Sequence, residues 1–179
     1  MKRVRLQFES IQQIIGAEAL SVILLADEEH RRVLSVVCDE LASKQIVMRL
    51  HNKGLCKTML PEALVQMFDS KHEIMIYGVH DGQYQVVLAD TLYNYHARLR
   101  MSDAILLTLI DPSIPLYIEE NLMERQSVPY NDQAHGIAIP INTMSRSHLA
   151  EAMQRAIDEE NYELASQLRD EIKSREKKQ

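Results

Sequence analysis

The feature that most restricts what this chain can fold into is a change of period within one short stretch, Ala97-Arg98-Leu99-Arg100-Met101-Ser102-Asp103-Ala104-Ile105-Leu106-Leu107. Upstream, Tyr84 to Tyr95 reads as extended chain. Downstream, Ala104, Ile105, Leu106, Leu107 and Leu109 read as a buried helix. A junction of this kind sets polar residues beside the N–H groups that a helix leaves unpaired at its start. Ser102 falls at the N-cap and Asp103 in the first turn, where side-chain oxygens and negative charge are favoured. Arg100, just before them, keeps its charge at any working pH and suits a carboxylate or a phosphate. Two readings fit these residues: a capped helix with an Arg100–Asp103 ion pair, and a polar site at a strand-to-helix junction.

The remaining chain supplies strands and helices in a repeating order. Val4, Leu6 and Phe8 alternate with polar residues as a half-buried strand does, and Gly16 breaks the stretch that follows. Ser21 to Ala26 and Val33 to Val37 form the arms of a hairpin turned by Asp27-Glu28-Glu29-His30. Cys38-Asp39-Glu40 opens a helix bearing Ile46 and Arg49, which ends before Asn52-Lys53-Gly54, with Gly54 suited to a left-handed C-terminal position. Pro61 suits the first turn of a further helix, on which Ala63, Leu64, Met67 and Phe68 have the spacing of a buried stripe. Glu73 to Val79 and Tyr84 to Ala89 are strands joined by an Asp81-Gly82 turn, and Leu92 to Leu99 is a third. After the Ser102 helix, Pro115-Leu116-Tyr117-Ile118 reads as a short edge strand.

Each half therefore runs three strands and then a helix, and the helices open alike: Cys38-Asp39-Glu40-Leu41 against Ser102-Asp103-Ala104-Ile105. This reads as an internal duplication and implies an α+β domain with a largely antiparallel sheet and packed helices. The body spans residues 1–124. Loop formers such as Pro129, Gly136 and Pro140 mark a linker over 125–144, in which Ile137, Ala138, Ile139 and Ile141 could dock on the body. Residues 145–179 form an antiparallel helical hairpin. Ser147 caps its first helix, Leu149, Met153, Ala156 and Ile157 line one stripe, and Tyr162, Ala165, Leu168 and Ile172 line the other after a break at Asn161.

Composition narrows the function. The net charge is −6, so a nonspecific nucleic-acid binder with an overall basic surplus is excluded, and any such role needs a local patch. No apolar run is long enough for a membrane span, and the basic start is not followed by a signal-type core, so a cytoplasmic chain is expected. Cys38 and Cys56 lack metal or redox spacing, and the seven histidines show no paired ligand motif. His80-Asp81 is a turn signal before it is a catalytic pair. Asp39 and Asp103 open two helices and could share a divalent ion if the halves pack about a pseudo-two-fold; as helix-capping carboxylates they need no ion. Tyr93 and Tyr95 could stack on bases or pack at a rim.

At Arg100-Met101-Ser102-Asp103-Ala104-Ile105, with Ile114-Pro115-Leu116-Tyr117-Ile118 behind it and the weaker Leu34-Ser35-Val36-Val37 run ahead, the chain resembles the bifunctional nuclease domain family over roughly residues 3–124. That resemblance implies an α+β domain, often in oligomers, with DNase and RNase activity attributed to some members. It makes Arg100, Ser102 and Asp103 the candidate catalytic residues, with Asp103 and Asp39 as ligands of Mg²⁺ or Mn²⁺ and DNA or RNA as the partner. Met101 replaces the family's proline, Arg98-Leu99 stands where Asp-Ala is common, and the family's Thr-His-Asp-Leu-Leu run has no counterpart near Thr58 to Leu64. The tail, from Leu149-Ala150-Glu151-Ala152-Met153 to Leu168-Arg169-Asp170-Glu171-Ile172, closely resembles the UVR motif, a helical hairpin of excision-repair proteins. The hairpin resemblance implies a protein partner, and the bifunctional nuclease resemblance a homo-oligomer. A non-catalytic protein that recruits a partner through the hairpin is the other function these features support.

Overall fold

Eight strands form one sheet in the order β6-β5-β4-β7-β1-β2-β3-β8. The computed structural model describes residues 2–14, 17–130, 146–158 and 160–176. The strands are β1 (Arg3–Ile14), β2 (Ala17–Asp27), β3 (Arg32–Asp39), β4 (His72–His80), β5 (Gln83–Asp90), β6 (His96–Leu99), β7 (Leu116–Glu119) and β8 (Ser127–Pro129). The helices are α1 (Glu40–His51), α2 (Leu60–Gln66), α3 (Met101–Ile110), α4 (Glu120–Gln126), α5 (Arg146–Asp158) and α6 (Tyr162–Glu176). All neighbouring strands pair antiparallel except β4 and β7, so the sheet is mixed but mostly antiparallel. The architecture is α+β.

Each half does run three strands and a helix, β1-β2-β3-α1 and β4-β5-β6-α3, on either side of β7. Because β7 is antiparallel to β1 and parallel to β4, the first strands of the two halves point in opposite directions. Helices α1 and α3 pack against each other, so they share one layer over the sheet. The core beneath them is aliphatic: Ile23, Leu34, Ile74, Ile76, Ile105 and Ile118 are fully buried. The buried Tyr84 hydroxyl on β5 donates to the Ser35 carbonyl on β3 at 3.4 Å, across four intervening strands. The sheet must curl round its core for that bond to form, as twist in a many-stranded sheet allows.

Several expectations are corrected. Pro115 to Ile118 is not an edge: β7 lies at the centre, and Pro115 fits because it precedes the paired residues and only its carbonyl is used, by Ile74 N–H at 2.9 Å. The stretch from Glu124 to Tyr130 is not all linker, since α4 runs to Gln126 and β8 extends the sheet beside β3. Gly54 does not take a left-handed conformation; it lies in a 3-10 turn, Lys53–Cys56, that continues directly from α1. Residues 92–95 are a turn rather than strand, because Asp90 binds the N–H groups of Leu92 and Tyr93 and Asn94 adopts φ 52°. The Asp81-Gly82 turn forms as expected, both residues at positive φ. Gly16, the docking of Ile137 to Ile141, and the cap at Ser147 lie outside the described residues or side chains.

The C-terminal helices α5 and α6 pack on each other around Leu149, Ala156, Ala165 and Leu168, with Ala152, Met153 and Ile172 against them. Ile157 and Tyr162, expected within the stripes, are exposed. Ala152 takes the inward place because helical periodicity sets positions 149, 152, 153 and 156 on one face. Among the described residues no helix is long and apolar enough to cross a membrane.

Candidate functional site

Strand β6 ends at Leu99, which packs on the core, and Arg100 turns the chain with extended dihedrals (φ −71°, ψ 149°) into α3. The N-cap is thus Arg100, not Ser102, and no side chain caps the helix. Ser102 and Asp103 sit one and two residues inside the first turn, where Met101, buried, fixes the helix to the core. Among the described residues Asp103 does not bond the backbone. Its two oxygens accept from Arg100 Nε at 2.8 Å and Nη2 at 3.0 Å in a two-bond fork. The geometry is that of the ion pair expected of a capped helix, on a surface where the Arg100 side chain keeps 68% exposure.

Asp39 differs. It is a true N-cap of α1, its carboxylate accepting from Ala42 N–H at 2.7 Å. The packing of α1 on α3 brings it near enough to act on Arg100. The Asp103 bonds and charge, with a smaller share from Asp39, raise the guanidinium pKa further above its ordinary value. The structure therefore brings Arg100 and Asp103 into contact and Asp39 into their field. Ser102, half-buried beside them, makes no side-chain hydrogen bond among the described residues. Arg98, two residues before Arg100 on extended chain, is exposed and forms no ion pair among the described residues. The alternation of Arg98 and Arg100 was the signal for this second cation.

A divalent ion needs several hard oxygen donors at once. Both Asp103 oxygens are held by Arg100 and one Asp39 oxygen by backbone, and among the described residues no three His, Cys, Asp or Glu side chains converge. As folded, the donors fit a guanidinium rather than a metal.

Two further polar clusters were not read from the sequence as pairs. Arg49 on α1, 2% exposed, meets Glu62 on α2: Nη2 donates to Oε2 at 2.7 Å and Nε lies 2.7 Å from Oε1, its N–H pointing off line. Arg49, Glu62, Lys53, Lys57 and Asp111 line a cleft of about 320 Å³. The second cluster closes the β4–β5 pair. Asp90 accepts from the Ser70 hydroxyl and from Leu92 and Tyr93 N–H at 2.7 and 2.9 Å, with His72 Nε2 3.6 Å away. His72 also bonds the Ser70 carbonyl through Nδ1 and stacks on Phe68, which holds the ring in place beside Asp90. The Ser70 bond, then the Tyr93 N–H, the Leu92 N–H and the His72 charge, hold the Asp90 carboxyl below its usual range against burial. A carboxyl depressed in the folded state stabilises the fold above its unfolded pKa, and that stability is lost as pH falls through the folded value. Acid denaturation of the parent is expected to steepen below about pH 4, and Asp90→Asn to flatten that limb in urea unfolding followed from pH 7 to pH 3.

The remaining candidates lie outside the Arg100–Asp103 fork. His80 and Asp81 pair at 3.3 Å on an exposed hairpin tip, 81% and 62% exposed. Cys38 is buried, which pushes its thiol up to about 11, aided by the Asp39 charge, and keeps it protonated. Tyr93 and Tyr95 are neither strand nor core; both stand exposed on the turn before β6.

Fold and site define an α+β protein with an arginine-lined helix start and a separate helical hairpin. The bifunctional nuclease domain profile matches residues 22–131, and the UvrB/uvrC motif matches residues 146–178. The chain belongs to the bifunctional nuclease domain family and ends in a UvrB/uvrC motif. The domain match reaches past the resemblance at its C-terminal end to take in β8, and begins within β2. No curated protein matches the chain.

Proposed function

We propose that this protein binds single-stranded nucleic acid along the β6–α3 edge and hydrolyses a phosphodiester there, while the hairpin joins it to a protein partner. The observation that carries this reading is the uncapped N-terminus of α3 lying beside Arg100. The first N–H groups of an uncapped helix and its dipole favour an anion, and a phosphate would supply the missing acceptor. Guanidinium binds phosphate in the same two-bond geometry that Asp103 now occupies. Substrate phosphate would displace the carboxylate from Arg100, with Arg98 as a second cation and Ser102 as a hydroxyl donor. Asp103, released, would be placed to take a proton from the attacking water; as its oxygen bonds phosphorus, the bond to one sugar oxygen breaks and that leaving oxygen takes a proton from solvent. Tyr93 and Tyr95, exposed on the turn ahead of β6, would stack on bases of a strand running along this edge. Mg²⁺ or Mn²⁺ would need Asp103 to leave Arg100 first, with Asp39 as the second carboxylate. The matched halves on either side of β7 suit an internal duplication, of which only the second retains an open helix start.

Cleavage of single-stranded DNA, duplex DNA and RNA with Mg²⁺, Mn²⁺ or chelator, comparing the parent with Asp103→Asn, tests this. Expected is cutting of single strands by the parent, lost in Asp103→Asn with an unchanged circular dichroism spectrum. Equal cutting by both proteins, or none by either, overturns the assignment. The small core of α5 and α6 favours a second reading, a non-catalytic protein that recruits a partner through its hairpin. No cutting together with retained capture of a partner would establish it.

A further inference from the structure

Helix α2 turns a mixed face to the body. Glu62, Val65 and Gln66, at i, i+3 and i+4, share one side of the helix and line the cleft that it forms with the ends of α1 and α3. Ala63, Leu64 and Met67, expected in a buried stripe, are exposed instead. Across the cleft, Arg49, Lys53 and Lys57 follow at four-residue steps as α1 passes through Asn52 into the 3-10 turn Lys53–Cys56. Arg49 is held by Glu62, yet its Nε–H, on a side chain 2% exposed, finds no acceptor in line, an unusual state for a buried donor. Lys53 and Lys57 are exposed and form no ion pair among the described residues. Asp111, the other carboxylate of the cleft, accepts from Ser113 N–H at 2.9 Å. The chain has a net charge of −6, so two lysines without a carboxylate at one concave site form a local positive field, which low-dielectric walls concentrate.

We infer that this cleft binds a nucleoside monophosphate, its phosphate between Lys53 and Lys57 and its base against Val65, Leu109 and Ile110. Charge selects the phosphate. A phosphate monoester carries about −1.5 to −2 at pH 7, which the two lysines balance; a di- or triphosphate would press further charge on Glu62 and Asp111. The donors left open are ammonium groups, which bind a tetrahedral phosphate as point charges. A carboxylate ligand suits a guanidinium fork, and the fork of Arg49 is held by Glu62. Size selects a single nucleotide. The cleft holds about 320 Å³, at the small end of the roughly 300–1,000 Å³ of ligand sites, so a strand does not fit within it. Val65, Leu109 and Ile110, packed on the core, give a base an apolar wall. Gln66 makes no side-chain hydrogen bond among the described residues and offers an amide donor and acceptor to the base edge. Helix α3 has ten residues and is about 15 Å long. The cleft at its end is therefore separate from Arg100 at its start, and the inference stands whether or not the chain cleaves phosphodiesters.

Isothermal titration calorimetry of the full chain with adenosine and cytidine 5′-monophosphate tests the site, with the two nucleosides and inorganic phosphate as the halves of each ligand. At least one nucleotide is expected to bind more tightly than either of its halves. Lys53→Gln and Lys57→Gln should each weaken that binding by about tenfold or more, as loss of a hydrogen bond to a charged group does. Both replace exposed side chains, so the circular dichroism spectrum should not change. Leu64→Gln, on the outer side of α2, should leave binding intact. No binding of either nucleotide, binding no tighter than that of inorganic phosphate, or binding lost through Arg100→Ala but kept in both lysine variants would each overturn the inference.

Discussion

Replacing Glu62 with leucine is expected to destabilise the protein by about 3–5 kcal/mol. The Arg49 guanidinium it leaves behind is 2% exposed and has no other carboxylate within reach among the described residues. Its remaining bonds, from Nη1 to the Gln45 carbonyl and side-chain oxygen at 3.0 and 2.9 Å and from Nη2 to the Met59 sulfur at 3.8 Å, satisfy hydrogen-bonding but not charge. Arg49→Met should cost less, because Glu62 borders the open cleft and can recover water. The double replacement should lie close to the parent, since a buried ion pair and a well-packed apolar pair of similar volume differ little. Urea unfolding of the four proteins closes the cycle and isolates the coupling. If Glu62→Leu costs under about 1 kcal/mol, the range of exposed pairs, the pair is hydrated and α2 is not pinned to α1 through it.

How far the sequence announces this structure depends on whether a pattern is local. Asp81-Gly82 needs only two residues to set its turn, and the Asp39 cap needs four, so both are read correctly from the chain. The apolar run of α3 is buried as its composition demands. Strand order is another matter. Leu116 to Ile118 has the length and leading proline of an edge strand, yet it pairs on both sides because two distant halves close upon it. Nothing in those residues encodes their neighbours. The cap of α3 shows a finer limit. Ser102-Asp103 has cap chemistry, but Arg100 recruits Asp103 sideways, and the helix starts two residues earlier than a serine cap would place it. The Arg49–Glu62 pair joins residues thirteen apart on different helices, and only the fold makes them neighbours. The stripe on α2 was legible as amphipathic, but the body takes Val65 and Phe68 and leaves Leu64 and Met67 exposed, which periodicity alone does not foretell.

Arg100→Ala should weaken single-stranded oligonucleotide binding by about 1.5–3 kcal/mol, the worth of a hydrogen bond to a charged group, and lower the salt dependence by about one phosphate contact. Asp103→Asn acts in the opposite sense on binding. It removes the charge that now occupies the guanidinium through bonds of 2.8 and 3.0 Å, so Arg100 no longer has to give up an ion pair to take a phosphate. Binding is then expected to hold or tighten while cleavage is lost. The two substitutions therefore separate what a shared structural role would not: an ion pair kept only for stability would make both variants slightly less stable and leave both equal in binding. Because the pair is largely exposed, either change should cost at most about 1 kcal/mol in folding, and urea midpoints provide that check. Arg98→Ala is expected to reduce the salt slope in the same way as Arg100→Ala without affecting Asp103. Fluorescence anisotropy at several salt concentrations measures all three proteins against the parent. Unchanged affinity in both arginine variants would place the phosphate away from α3 and leave the Arg100–Asp103 fork as a helix-start ion pair alone.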